Sequence, residues 1–270
     1  MYPILIKIGP ITIHTYGFLL AVGVLVAIIL IQIWGKKENI NRETLTNFLF
    51  YTFLIALLGA KLFLFVTEIK FYLSNPGKIK NLITSAGVFY GGLICGGLFA
   101  AWYIKKHKLV FRQLTDIMVP AVALAHFFGR LGCFFAGCCW GREAEGCAIA
   151  VKFGNTGATT GVPPDKYLYP TQLIEAVLNL LNFVVLFILL KKRKFMGQVF
   201  AVYIFNYSLI RFCVEFFRGD PDRGYVFGGT HAPFTSLSVP QLISIIGFIL
   251  AIILYRVFKK KSLEEAQLRA

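Results

Sequence analysis

Seven stretches of about 20 mostly apolar residues constrain this chain more than any other feature, because a run of that length crosses a bilayer as one helix. They cover about 16–34, 45–66, 86–104, 114–135, 170–190, 197–216 and 239–258. The third is rich in glycine, and the fourth is interrupted by Pro120 and polar residues. The expectation is an all-α integral membrane protein with about seven transmembrane helices, forming a single polytopic domain over residues 1–270. Composition points the same way. The chain is 57% hydrophobic and only 15% charged, where a soluble domain averages about 45–50% and 25%. An ordinary cytosolic enzyme, a secreted disulfide scaffold and a disordered tail are therefore poor readings. No A-x-A-like cleavage site follows the first run, which reads as a retained helix and not a signal peptide.

Basic residues set the orientation. Of the 28 Lys and Arg, 16 fall in the connections after the first, third and fifth runs and in the C-terminal tail. Nine fall on the opposite side, and Lys61, Arg130 and Arg211 lie within runs. The positive-inside rule then puts the N-terminus outside and the C-terminus in the cytoplasm. The net charge of +15 thereby marks the inner membrane surface. No basic patch interleaved with aromatics points to nucleic acid. There is no internal repeat and no low-complexity segment. The outer segments at about 136–169 and 217–238 are the longest connections, rich in Gly, Pro and charge, and loops of that length tend to carry function.

An ionisable residue inside a span is costly and is a functional hypothesis by default. With this topology, Lys61, Arg130 and Arg211 occupy the outer parts of their spans. His14, Tyr16, Tyr90, Gln172, Glu175 and the Ser238–Gln241 region fall at the same level. The cytoplasmic half offers mainly Asp116. Lys61 is read equally well as snorkelling to the interface. Tyr207, Arg211, Glu215 and Arg218 follow i, i+4, i+8, i+11 and share one helix face. Arg211 and Glu215 read either as a structural ion pair, which would leave Arg218 free, or as part of a site. Gly129 and Gly132 flank Arg130 and allow close backbone approach. A guanidinium there forks onto a phosphate, and Arg130 and Arg211 on separate helices would clamp one anionic group. Pairing of each arginine with a carboxylate is the plainer reading. No phosphate-loop or dinucleotide motif is present, and Gly91-Gly92 and Gly96-Gly97 read as a helix-packing face.

Four of the six cysteines cluster as C-x4-C-C-x7-C at Cys133, Cys138, Cys139 and Cys147. This is not a paired C-x2-C zinc spacing. On the outer surface, a disulfide among Cys138, Cys139 and Cys147, small inert packing residues, and a metal or redox centre all stay open. His14 and His126 fall near the polar level, His107 is cytoplasmic and His231 lies in an outer loop. No Ser-His-Asp or metal constellation is visible.

The motifs in their order resemble those of the bacterial prolipoprotein diacylglyceryl transferase family. They are Gly9-Pro10 with IHTYG ending at Gly17, LLGAKLFLF at Leu57–Phe65 and FYGGLICGG at Phe89–Gly97. GRLGCFFAGCCWGR follows at Gly129–Arg142, then YPTQLIEA at Tyr169–Ala176, YSLIRFCVEFFRGDPDRG at Tyr207–Gly224 and SLSVPQLIS at Ser236–Ser244. The resemblance covers almost the whole chain. It implies a multi-pass enzyme of the bacterial cytoplasmic membrane that moves the diacylglyceryl group of phosphatidylglycerol onto the lipobox cysteine thiol of a preprolipoprotein. Glycerol-1-phosphate leaves and a thioether forms. The implied partners are phosphatidylglycerol and signal peptides bearing a lipobox cysteine. No cofactor and no metal are implied. Arg130 matches the arginine of the family's G-R-x-G signature, and Arg211 the one in its R-F-x-x-E-F-F-R run. Both would hold the lipid phosphate. Tyr207 and Glu215 match positions on that helix, and His14, Tyr16, Gln172 and Glu175 match polar positions of H-x-Y-G and P-[ST]-Q-L-x-E. Arg218 supports the same face.

Two departures stand out. The family signature continues G-R-x-G-N-F-x-N-x-E, and this chain has Cys133, Ala136 and Cys138 at the Asn, Asn and Glu positions. The family often has His where this chain has Tyr90. A tyrosine with an ordinary pKa near ~10 is a poor base unless positive charge lowers it. The expected catalytic set is Tyr90, Arg130, Arg211 and Glu215, with Tyr90 ranked ahead of His14 and Glu215 as base. The competing classes are a lipid transporter or flippase, which would show repeat symmetry or broken helices at the midplane, and a membrane thiol oxidoreductase, which would need a C-x-x-C.

Overall fold

The computed structural model describes residues 2–9, 11–79, 82, 87–154, 161–163, 165–220, 224–228 and 236–268. His231 lies outside the described residues. All seven apolar runs form helices: α1 Thr15–Lys37, α2 Arg42–Thr67, α4 Phe89–Lys106, α5 Phe111–Ala136, α6 Thr171–Lys192, α7 Gln198–Glu215 and α8 Val239–Gln267, with a short α3 at Ile69–Ser74. Among the described residues, α1, α2, α5, α6 and α8 are long and apolar enough to cross a membrane. A chain with five such helices is a multi-pass membrane protein. Helices α4 and α7 have 18 residues each, about 27 Å of rise and near the lower limit for a span. Helix α7 is further diluted by Asn206, Arg211 and Glu215.

Pro120 does not break α5, which runs on through it. Helices in apolar surroundings tolerate a proline where neighbouring groups take up the freed backbone. Helix α8 continues past the expected end at residue 258, carrying the basic stretch and Glu264–Glu265 as helix to Gln267. The fold is not purely helical. Three short antiparallel ladders interrupt it: β1 Ile4–Ile8 with β2 Ile11–His14, β3 Val151–Lys152 with β4 Tyr167–Leu168, and β5 Tyr225–Phe227 with β6 Leu237–Ser238. The β-branched Ile4, Ile6, Ile8, Ile11 and Ile13 suit the first hairpin, since such side chains favour strands.

The chain divides into two compact units, Met1–Ile31 with Thr115–Ala270, and Gln32–Leu114. In the smaller unit, Asn41 caps α2 by accepting from the Thr44 amide at 2.9 Å. Helices α2 and α4 approach closely through small residues. A Cβ on Gly91 would lie 2.4 Å from Phe63, one on Gly92 2.9 Å from the Ala56 carbonyl, and one on Gly59 2.5 Å from Cys95. The expected packing face therefore holds at Gly91, Gly92 and Gly96, and fails at Gly97, which meets nothing within 4 Å.

In the larger unit, Val119, Ala123, Leu186 and Val199 form a buried core with Phe183, Phe200 and Tyr203 packed on it. Gly247 lets α8 approach α7, since a Cβ there would fall 2.2 Å from Ser208 Oγ. Asp116 gains a structural role. Fully buried, its carboxylate accepts from the Gly197 amide at 2.8 Å and the Phe200 amide at 2.9 Å. Arg193 adds an ion pair at 3.4 Å. This carboxylate satisfies the orphan amides that open α7 and complements its dipole. Helix α8 opens on a reciprocal cap between Ser238 and Gln241.

Candidate active site where three helix ends meet

The candidate site lies in the larger unit, where the end of α5 meets the start of α6 and the end of α7. Helix α5 stops because Gly137 turns left-handed at φ +77°, a conformation that costs glycine little. The amides of Gly137 and Cys138 return to the Cys133 carbonyl at 3.0 and 3.2 Å. The chain beyond is then tied to its neighbours by main-chain hydrogen bonds. Gly141 N donates to Tyr169 O at 3.1 Å, Tyr169 N to Arg142 O at 3.0 Å, Arg142 N to Phe217 O at 2.9 Å and Gly219 N to Trp140 O at 3.1 Å. Glycine is required at two of these crossings. A Cβ on Gly141 would lie 2.4 Å from the Tyr169 carbonyl, and one on Gly219 2.6 Å from Arg142 N. Side chains of α6 complete the tie: Gln172 Nε2 donates to Cys138 O and Thr171 Oγ1 to Cys139 O, each at 2.8 Å. The Arg142 guanidinium lies over the rings of Tyr169 and Phe217.

This framework gathers the charged residues. Arg130 Nη2 sits 2.9 Å from Glu175 Oε1, and Arg211 Nη2 sits 2.9 Å from Glu215 Oε2. Both carboxylates are 1% exposed, the two arginines 21% and 16%. The plainer expectation, that each arginine is paired with a carboxylate, is what the structure contains. Arg218 is not free either. It forks onto Asp220, Nε to Oδ1 at 2.7 Å and Nη2 to Oδ2 at 2.5 Å. The pairing leaves capacity unused. Arg211 Nη1 and Glu175 Oε2 are buried with no hydrogen-bond partner among the described residues. Buried polar groups are nearly always satisfied, so Arg211 Nη1 is able to donate to a further group and Glu175 Oε2 to accept from one.

The other expected residues divide. Tyr16 packs on α5, its Cδ2 3.0 Å from where a Cβ on Gly132 would stand. Gly132 thus serves the close approach expected of it, while Gly129 meets nothing within 4 Å. Gln172 holds the cysteine loop, and Glu175 holds Arg130. The Tyr207 ring lies 5.4 Å from that of His126 and stacks on Tyr203 at 5.9 Å. His14 is exposed at the end of β2. Tyr90 and Lys61 belong to the smaller unit, and Tyr90 is 57% exposed.

Sequence reading missed the buried amides Asn179 and Asn182 and the half-buried Asn206. Asn179 Nδ2 donates to the Glu175 carbonyl at 2.8 Å, and Asn206 Nδ2 to Asn182 Oδ1 at 2.9 Å. The signal was there: Gln172, Glu175, Asn179 and Asn182 recur at i, i+3, i+7, i+10, one polar stripe on an apolar helix. All six cysteines are free thiols, so no disulfide joins Cys138, Cys139 and Cys147. Instead the sulfurs of Cys133, Cys138 and Cys139 lie within 4.8 Å of one another. Hydrogen bonds from Cys133 and Cys138, with the positive charge of Arg218 and Arg130 behind them, hold the Cys139 thiol far below its ordinary range.

Comparison with known proteins gives the family. The family model of prolipoprotein diacylglyceryl transferase matches residues 3–257. A phosphatidylglycerol–prolipoprotein diacylglyceryl transferase of Clostridium tetani is 34% identical over 263 residues, 97% of this chain and 100% of the relative. Transferase 2 of Clostridium perfringens is 34% identical over 253 residues, 94% of each chain. The enzyme of Hydrogenovibrio crunogenus is 30% identical over 265 residues, again 94% of each. The chain belongs to the prolipoprotein diacylglyceryl transferase family.

Proposed function

We propose that this chain transfers the diacylglyceryl group of phosphatidylglycerol to the lipobox cysteine of preprolipoproteins, in the bacterial cytoplasmic membrane, as the first step of lipoprotein maturation. The observation that carries this reading is the pair of arginines on separate helices, each held by a buried glutamate, with Arg211 Nη1 still lacking a partner among the described residues. A lipid phosphate oxygen supplies that partner. The names of the relatives give both substrates. Helices α4 and α7 complete seven spans, and the distribution of Lys and Arg puts the N-terminus outside, so the site opens toward the outer leaflet.

The reaction joins a thiolate sulfur to the glycerol carbon that bears the phosphate ester, and the phosphate leaves with the bonding pair. It gains a negative charge as it does so. Arg130 and Arg211 are fixed before that charge develops, which is how preorganised donors lower a barrier. Glu175 and Glu215 set the guanidinium planes, and Tyr16, Gln172, Tyr207, His14 and Arg218 complete the polar surround. The FYGG motif at Phe89–Gly92 alone keeps Tyr90 as the candidate for the thiol proton. The lipid tails enter sideways between helices, so no soluble pocket is required.

The test is reconstitution in phosphatidylglycerol vesicles with a signal peptide bearing a lipobox cysteine, read by mass spectrometry. A diacylglyceryl mass gain on the cysteine is expected. Arg130→Ala should slow it by ~10²–10³-fold, the scale of losing one preorganised donor. Full activity in that variant would sink the phosphate clamp, and no gain with folded wild-type protein would sink the transferase reading.

A further inference from the structure

The three clustered sulfurs are unused by the mechanism above. Cys133 sits in the last turn of α5, one turn beyond Arg130. Cys138 and Cys139 follow the left-handed Gly137, and Cys139 is itself left-handed at φ +61°, a backbone that a side chain rarely adopts unless its surroundings impose it. Those surroundings are Gln172 and Thr171, which grip the carbonyls of Cys138 and Cys139. The loop is therefore held in a shape that turns two adjacent cysteines and a third five residues earlier toward one point.

We propose that Cys133, Cys138 and Cys139 form a three-thiolate site for a single thiophilic cation, Zn²⁺ foremost, with its fourth coordination position left open for a thiol. Zinc–sulfur bonds of ~2.3 Å set tetrahedral sulfurs about 3.8 Å apart. The sulfurs here lie within 4.8 Å, so closure needs side-chain adjustments of under about 1 Å. Three thiolates and Zn²⁺ carry one net negative charge, complemented by Arg218 and Arg130. Among the described residues no fourth His, Cys or carboxylate joins the group. Closed structural sites use four protein ligands, whereas reactive ones use three.

An open zinc position suits a thiol-alkylating reaction. The part of this inference that concerns the substrate rests on the transferase reading; the metal site itself does not. The acceptor cysteine binds through sulfur and releases its proton to water, since a coordinating thiol is deprotonated outright. Its sulfur forms the C–S bond as the C–O bond to phosphate breaks, and the phosphate oxygen keeps that electron pair. The thioether product, a neutral and weaker donor, then departs. A bound metal would thus generate the thiolate in place of Tyr90, in a chain where Cys133 and Cys138 stand at the Asn and Glu positions of the family signature.

The experiment titrates the reduced, detergent-solubilised full-length protein with Co²⁺ alone, anaerobically. Thiolate-to-cobalt charge-transfer absorption and tetrahedral d–d bands saturating at about one Co²⁺ per chain are expected, with Zn²⁺ displacing the cobalt. Cys133→Ser, Cys138→Ser and Cys139→Ser should each weaken binding by more than the ~10–100-fold that loss of an outer-shell partner costs. Cys147→Ser and Cys95→Ser should leave the bands unchanged. Wild-type protein without charge-transfer bands, bands that survive in Cys139→Ser, or a disulfide among the three in protein purified with zinc would each overturn the site. The wild-type measurement needs no variant to fold. Mass gain on the lipobox peptide without metal binding removes this proposal and leaves the transferase standing; metal binding without mass gain does the reverse.

Discussion

Removing the Arg130 side chain should damage stability and catalysis through separate routes that a second substitution can part. Arg130→Met leaves Glu175, 1% exposed, as a buried carboxylate without its ion-pair partner. Breaking a buried ion pair from one side costs ~3–5 kcal/mol. Arg130 itself is 21% exposed, so water softens the loss and the lower end, about 3 kcal/mol, is the working figure. At roughly 2–4 °C per kcal/mol for a chain of this size class, thermal unfolding in detergent should fall by about 6–12 °C. The double variant Arg130→Met, Glu175→Leu removes both charges and fills the space with apolar atoms, which is often neutral or stabilising. It should recover most of that loss and still lack activity, because no guanidinium meets the phosphate. Two results would refute the reasoning. A single variant as stable as wild type would mean that the carboxylate reaches water. A double variant that regains transfer would mean that the pair is structural and the phosphate is held elsewhere.

Three further outcomes follow from the same geometry. Gly141→Ala drives a Cβ to 2.4 Å from the Tyr169 carbonyl; it should destabilise by ~1–3 kcal/mol, seen as a lower melting temperature, whereas Gly129→Ala, with nothing within 4 Å, should melt near wild type. Asp116→Ala strips the amides of Gly197 and Phe200 of their acceptor and should cost ~0.5–2 kcal/mol as a lost cap, with hydrogen exchange rising at the start of α7 before anywhere else. Tyr90→Phe should lower kcat by ~10²–10⁴-fold if its hydroxyl transfers the thiol proton; unchanged turnover would remove Tyr90 from the mechanism.

The helices were legible because bilayer thickness and hydrogen bonding leave an apolar run of 20 residues little choice. Arg130, Arg211, Glu175 and Glu215 were legible for the converse reason, since a charge within such a run needs a partner. Which partner was not legible. The match of Arg130 with Glu175 depends on the rotation of α5 against α6, and the capture of Arg218 by Asp220 depends on the turn after α7. Gly129 and Gly132 look alike as letters, yet only one faces Tyr16. The thiol cluster was read as a disulfide, packing or a metal centre because spacing along the chain is blind to the left-handed turns at Gly137 and Cys139.

The cross-links at Gly141, Arg142, Tyr169 and Gly219 run amide to carbonyl. Such a clasp does not read side chains, apart from the two glycines that leave it room. The chemistry mounted on it is therefore interchangeable in principle: thiol, amide or carboxylate can stand at positions 133, 136 and 138 while the arginines keep their spacing. A saturation library across residues 133–142 should then be sharply divided, unforgiving at the left-handed Gly137 and at Gly141 and more permissive for folding elsewhere, with activity and abundance following different maps.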